Sequence, residues 1–455
     1  MTTKALADFT SRLTYEKLSP HSVSMAKKCL LDWLGVAISG SQEQPAKIIR
    51  QTIVKPSAGE ATILAQDCER TSALDAAFCN GAASHSLDFD DLHNPSIIHL
   101  ACVVIPAALA LAEAEHKSGK QLLAAICAGY EAGARAGEAV IPESYFYWHT
   151  TGSAGIFGAA AAAANILGLD AQQTLMCYGS AGTQAAGLWE FLKEGAMSKS
   201  LHAGKAAYGG VLSACLARAG FTGASKILEG EKGFCRAVSP QPHQEKLVDG
   251  LNSGKLKIDE NSFKPYACCK HSHAALYAIQ TLRQKHKLQP ADICKTTLFV
   301  NDITDCLINN PRPQTPYGCK FSIQYCSAAI LKYGAAGIEQ FRPNIINDEE
   351  ILQLMQKTAV VRDEAMEKIY RENPSKLASR AELTLTSGAV LSMQVDYPKG
   401  DPDNPLSWEE TCAKFMTLAE PVIGSRKAAA LCQMTARIEE YPDMAEAIAG
   451  CIKEN

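Results

Sequence analysis

The feature that most restricts this chain is a series of helix-period segments built from alanine and glycine. Ala154 to Leu167 carries Gly155, Gly158 and an unbroken alanine run, and Gly204 to Arg218 is similarly rich in small residues. Small side chains let helix axes approach closely, and helices that are apolar all round belong inside a bundle. Ser24 to Val36 opens the series, with Met25, Cys29, Leu30, Trp33 and Leu34 at helical spacing. Ala73 to Leu92, Val103 to Glu115 and Leu122 to Ala136 continue it. The apolar stretch Ile156 to Leu169 is broken by Asn165 and falls short of the roughly 18–20 residues that a membrane span needs.

The pattern changes after Pro265. Lys295 to Val300 and Ala359 to Arg362 are short β-branched runs. Ala381 to Leu385 and Val390 to Val395 alternate and flank Thr386-Ser387-Gly388, which reads as a hairpin. Helical patterns, Ser322 to Lys332 and Asp348 to Lys357, lie between them. Tyr397 to Pro405 is rich in proline and reads as a linker, and Trp408 to Ile452 is helical again. The expected fold is therefore mainly α: a large all-helical domain with an inserted smaller α+β domain. The boundaries expected are 1–264 for the helical domain, 265–402 for the insertion, and 403–455 for helices returning to the first domain.

Composition removes several classes of function. With 44 Lys+Arg against 48 Asp+Glu, the formal charge of -4 gives no electrostatic footprint for nucleic acid. The 17 cysteines are odd in number and follow no disulfide or zinc spacing; Cys268 and Cys269 are adjacent rather than C-x-x-C. Residues 1–9 lack a basic segment followed by an apolar one, so the expectation is a cytoplasmic protein with free thiols.

Four polar clusters stand out. The densest is His85-Ser86-Leu87-Asp88-Phe89-Asp90-Asp91-Leu92-His93, followed by Asn94-Pro95 and His99. On a continuous helix, His85, Asp88 and Leu92 would share a face, and Asn94-Pro95 would end it and leave His99 on a loop. Acid and imidazole at such a place suit proton transfer. The plainer readings are that Asp90 and Asp91 are solvated, or that Asp88 satisfies a helix N-terminus. The carboxylates with His93 have neither the spacing of an EF-hand loop nor that of H-E-x-x-H. His149-Thr150-Thr151-Gly152 precedes the alanine-rich helix, where His149 could bind an anion or Thr151 could cap. Its glycines are not spaced for a dinucleotide. Lys199-Ser200-Leu201-His202-Ala203-Gly204-Lys205 lacks the glycine and hydroxyl residue of a P-loop. Phe263-Lys264-Pro265-Tyr266-Ala267-Cys268-Cys269-Lys270-His271-Ser272-His273 lies where the two patterns meet. An extended backbone there would turn His271 and His273 to one side.

In this order, the clusters resemble the MmgE/PrpD family over nearly the whole chain. The resemblance rests on Leu31-Asp32-Trp33-Leu34-Gly35, on Asn80-Gly81-Ala82-Ala83-Ser84-His85 running into Leu87-Asp88-Phe89-Asp90-Asp91, and on His99 before Pro106. His149-Thr150, Lys199 in K-x-L-H-A-G and Lys264 in K-P-Y-x-C-C extend it. Lys320-Phe321-Ser322 with Tyr325, then Tyr397-Pro398-Lys399-Gly400-Asp401-Pro402 and Asn404-Pro405, complete it. The chain departs from the pattern at Leu92, where some members carry Thr. It departs again in a Leu92–Ile98 segment one residue longer than in the decarboxylase branch, and at Leu100 in place of Pro.

The resemblance implies a helical domain with an α+β lid, usually as a homodimer. It implies a lyase on a small polycarboxylate, without metal or organic cofactor, of the 2-methylcitrate dehydratase or cis-aconitate decarboxylase type. A dicarboxylate epimerase or a non-catalytic polycarboxylate binder are the other readings. Under it, Lys199 and Lys264 would hold a substrate carboxylate and His99 would move the proton. Asp88 would set the position or tautomer of His99, and His149 would serve a leaving hydroxyl or a second carboxylate. His85, Thr150 and Tyr325 would contact substrate.

Overall fold

The computed structural model describes residues 2–55 and 59–453. The chain is mainly helical and gathers into two compact units, Met1–Ser262 with Ser407–Asn455, and Phe263–Leu406. Among the described residues no helix is long and apolar enough to cross a membrane.

At the centre of the first unit stands the helix Gly155–Ile166, buried along its whole length except at Asn165. The helices Ala101–Ala114, Gly119–Glu138, Ala171–Gly182 and Ser198–Arg218 pack around it. Their glycines meet backbone. A Cβ on Gly129 would lie 2.9 Å from the Gly158 carbonyl oxygen, and one on Gly158 would lie 2.9 Å from that of Gly129. The small-residue composition is thus spent on helix contact. Asn165 donates to the Thr10 and Leu13 carbonyls, both at 2.9 Å, which satisfies the one polar side chain in that alanine-rich segment.

Helix Ala73–Ser84 packs against Ser198–Arg218, and helix Pro20–Gly40 packs against Trp408–Ile423. The latter pair brings the end of the chain against its beginning. The reading of one helix from Ala73 to Leu92 is corrected: the helix stops at Ser84, with His85 as its C-cap. Asp88 has φ +56°, a left-handed conformation that no helix accommodates and that Asp tolerates better than most residues. The chain turns there instead of continuing.

The second unit holds a four-stranded sheet in the order Thr358–Arg362, Ile293–Val300, Ser379–Leu385, Val390–Val395. The first two strands are parallel, and the remaining pairs are antiparallel. The hairpin turn contains Gly388 at φ +84°. Helix His273–His286 covers the two hairpin strands. His271 and His273 are not on an extended segment: the first lies in a 3-10 turn, Lys270–Ser272, and the second starts the helix.

The tight contact between Ser198–Arg218 and the central helix gives a test. A Cβ on Gly210 would come within 2.6 Å of the Ala159 carbonyl carbon and 2.7 Å of the Ala160 nitrogen. Helix propensity favours Ala over Gly by about 1 kcal/mol, but overpacking against backbone costs about 1–3 kcal/mol. Gly210→Ala should therefore lower stability in urea denaturation; an unchanged or raised midpoint would mean that the two helices are not in such contact.

Candidate active site

The turn after helix Ala73–Ser84 presents three acids in four residues, and each meets a different partner. Asp88 is paired with the Nζ of Lys199, which lies near the start of helix Ser198–Arg218. Asp90 is fully buried, and its Oδ2 lies 2.7 Å from His85 Nδ1 and 3.3 Å from His99 Nδ1. Asp91, also fully buried, accepts the Tyr130 hydroxyl at 2.5 Å through one oxygen and the Ala101 amide at 3.1 Å through the other. Ala101 opens helix Ala101–Ala114, so it is Asp91 that caps a helix N-terminus. Neither Asp90 nor Asp91 is solvated, and Asp88 is not the capping acid.

The segment Leu92–Ile98 returns the chain to this centre. Leu92 pairs with Ser262 through two backbone hydrogen bonds of 2.9 Å, and the His93 amide bonds to the Ile98 carbonyl. The Thr150 hydroxyl donates to the Ile97 carbonyl, and the Thr151 hydroxyl accepts the His99 amide at 3.2 Å. Thr150 and Thr151 thus hold the backbone that carries His99.

A row of imidazoles leads away from Asp90. His85 Nε2 lies 3.4 Å from His149 Nε2, and His149 Nδ1 lies 3.1 Å from His202 Nδ1. Burial raises the Asp90 carboxyl, but the neighbouring His99 and His85 outweigh it and hold the group well below the usual carboxylate range. An ionised carboxylate only accepts. His85 therefore carries its proton on Nδ1, and His85 Nε2 accepts from His149 Nε2–H. That leaves His149 Nδ1 to accept from His202. One acid fixes the tautomers of the row. Burial lowers His85 to about 4, with Lys199 acting in the same sense and Asp90 against it. It pushes His149 well down and His202 to about 4, so these rings are neutral near pH 7. Trp189 closes the row from the side, its ring centroid 4.6 Å from that of His149.

The structure thus brings together His85, Asp88, His99, His149 and Lys199. Lys264 and Tyr325 belong to the second unit. Lys264 is buried there, and the Tyr325 hydroxyl donates to the Gln340 carbonyl. The residue against His99 is Asp90, while Asp88 is paired with Lys199. Asp90, Asp91, Tyr130, Trp189 and His202 were missed as members. His202 had a signal, since it lies three residues after Lys199 on one helix face. Trp189 had none.

Among the described residues, two groups carry metal-type donors. The ligand atoms of His85, Asp90 and His99 lie within 4.8 Å of one another, as do those of His93, Glu138 and Glu260. In the first, the carboxylate charge is met by imidazole N–H. In the second, Lys257 and Lys255 already pair with Glu138 and Glu260, each at 2.8 Å.

Comparison with known proteins agrees with this arrangement of motifs. The MmgE/PrpD N-terminal domain matches residues 4–246, and the MmgE/PrpD C-terminal domain matches residues 266–440. A cis-aconitate decarboxylase-like protein of Aspergillus oryzae is 27% identical, covering 98% of this chain and 96% of its own. The human cis-aconitate decarboxylase is also 27% identical, over 97% of this chain and 92% of its own. That of Aspergillus terreus is 26% identical, over 92% and 89%.

Asp91 yields a prediction about pH. Burial, with the charges of Asp90 and Asp32, outweighs the Tyr130 and Ala101 hydrogen bonds and raises it to about 7. An unfolded aspartate ionises near ~4. Between these values the unfolded chain has lost the proton that the folded chain keeps, so this group makes stability fall as pH rises. Asp91→Asn cannot ionise. It should gain on the wild type as pH rises from about 4 to about 7 and hold a constant lead above that, in urea melts at several pH values. A gap that does not widen would mean that the two hydrogen bonds keep Asp91 ionised throughout.

Proposed function

The chain belongs to the MmgE/PrpD family, and we propose that it is a lyase that removes carbon dioxide from cis-aconitate or a closely similar small polycarboxylate. The observation that carries this reading is one buried cluster in which an ionised acid orients two imidazoles beside an ammonium–carboxylate pair. The likeness to cis-aconitate decarboxylases over nearly the whole chain supports the substrate class.

Decarboxylation breaks a carbon–carbon bond. Carbon dioxide leaves, and the electron pair stays behind, spread through the double bond onto a remaining carboxylate. That pair must then take up one proton. Lys199, held by Asp88, supplies a fixed cation for the accumulating charge, which is worth far more in a dry site than in water. His99 turns Nδ1 to Asp90 and so presents Nε2 as the atom that carries the proton. As an imidazolium it delivers that proton to carbon and recovers one from water. As a neutral ring, the same Nε2 removes a proton from carbon; in dehydration of a 2-methylcitrate-like hydroxy acid the C–O bond then breaks, and the departing hydroxyl takes up that proton from the imidazolium and leaves as water.

Both nitrogens of His149 are engaged by its neighbours in the row, so we assign it to orientation of His85 rather than to a leaving group. Thr150 is assigned to holding the His99 loop. Lys264, Tyr325 and the lid role of the second unit enter this reading through the family resemblance.

The test is proton NMR in deuterated water, with EDTA-treated protein given cis-aconitate and 2-methylcitrate separately. The expected result is a five-carbon unsaturated dicarboxylate from cis-aconitate, with one deuterium incorporated per turnover. His99→Ala and Asp90→Asn should each lower turnover by about 100-fold or more while the helical circular dichroism is kept. Near-normal turnover in His99→Ala would remove the histidine from the chemistry. A new alkene from 2-methylcitrate alone would make the protein a dehydratase, and deuterium exchange without a new product would make it an isomerase.

A further inference from the structure

We infer that Lys414, on the helix Trp408–Ile423, is a positioning residue that fixes the turn bearing Asp88, Asp90 and Asp91. No sequence motif singled it out. Its ammonium lies 2.6 Å from Asp32 Oδ1, donates to the Phe89 carbonyl at 2.8 Å, and stands 4.1 Å from the centroid of the Phe89 ring. The Lys414 side chain is 7% exposed and that of Asp32 is 0% exposed, so the pair lies inside the protein, where both charges require each other.

The position of Phe89 gives this contact its consequence. Phe89 sits between Asp88, which pairs with Lys199, and Asp90, which lies against His85 and His99. Asp88 holds φ +56°, a backbone state that is unfavourable for a non-glycine residue and must be imposed by its surroundings. Lys414 grips the carbonyl of the next residue, in the peptide between Phe89 and Asp90. The helix faces agree: Asp32 and Gly35 lie three apart on Pro20–Gly40. A Cβ on Gly35 would come within 3.3 Å of the Phe415 Cα, so the two helices touch closely where Lys414 passes between them. Packing of the chain's last helices is thereby tied to the placement of two imidazoles.

Two of the contacts of Lys414 can be separated. The ion pair with Asp32 concerns stability, and the hydrogen bond to Phe89 concerns the turn. This inference rests on the proposed acid–base role of that turn, so the test includes a readout that needs no substrate. The variants are Lys414→Met, Lys414→Arg and the double variant Asp32→Asn with Lys414→Met.

Lys414→Met should lower the thermal midpoint and kcat together. In the double variant no buried carboxylate is left without its cation, so the midpoint should return towards the wild type. Its kcat should stay about 10- to 100-fold down with KM changed less than about threefold, because a small misplacement of catalytic groups has that effect. Lys414→Arg, which keeps a donor and a charge, should recover part of kcat. The downfield Nδ1–H proton resonance of the His85–Asp90 pair, identified by its loss in His85→Ala, should shift or broaden in the double variant. If kcat and that resonance both return with the thermal midpoint, Lys414 is a structural charge only and the inference fails. If the wild type is inactive on both substrates, the proposed function fails. The resonance then decides the inference: a shift upholds the positioning of the turn, and an unchanged resonance overturns it.

Discussion

The contact between Asp90 and the imidazoles of His85 and His99 is the one on which the rest of the site depends. It joins the end of one helix to the loop before the next, and both groups of its shorter arm are completely buried. A carboxylate in such a place is tolerable only because two rings turn a nitrogen towards it. In return it dictates where their protons sit, and through His85 it dictates the same for His149 and His202. The order of the site is electrostatic before it is steric. Helix packing supplies the buried volume in which so few charges can impose so much.

Three acids within four residues show how far environment outweighs residue type. Asp88 meets an ammonium, Asp90 meets imidazoles, and Asp91 meets a phenol and a helix N-terminus. The first has its charge matched. The second is held ionised by its partners. The third is pushed towards protonation by burial and by the charges of Asp90 and Asp32. Placing like charges this close inside a protein works only when each is given a different way out, and the turn at Asp88 is what sends them in different directions.

Much of this was legible in the residues. The alanine- and glycine-rich segments announced buried helices, and the alternation around Thr386-Ser387-Gly388 announced a hairpin that the structure contains. His85, His99, His149, Asp88 and Lys199 stood out as chemistry-bearing positions, and they do share one cluster. The pairing within the cluster was not legible. Helical periodicity carried Ala73 to Leu92 through as one element, because nothing local in Leu87-Asp88-Phe89 marks a left-handed residue. The assignment of Asp88 to His99 was implied by the family resemblance and not by the spacing of the residues. The actual partner, Asp90, follows from tertiary contacts. So does Lys414, which no local pattern could connect to Phe89.

The backbone at the ends of the second unit has a consequence for the order in which the molecule is made. The Phe263 amide bonds to the Gly400 carbonyl at 2.8 Å, so the unit closes on itself where its chain enters and leaves. A ribosome delivers the turn, its histidines and Lys199 early, then this self-closing unit, and the helix with Lys414 near the end. Domains fold as units while synthesis proceeds. A nascent chain halted before Trp408 would already hold every member of the acid–imidazole cluster. It would lack the cation that seats the turn and that lies 2.6 Å from the Asp32 carboxylate. The turn is thus seated only once the helix Trp408–Ile423 has packed against Pro20–Gly40 and brought Lys414 to Phe89.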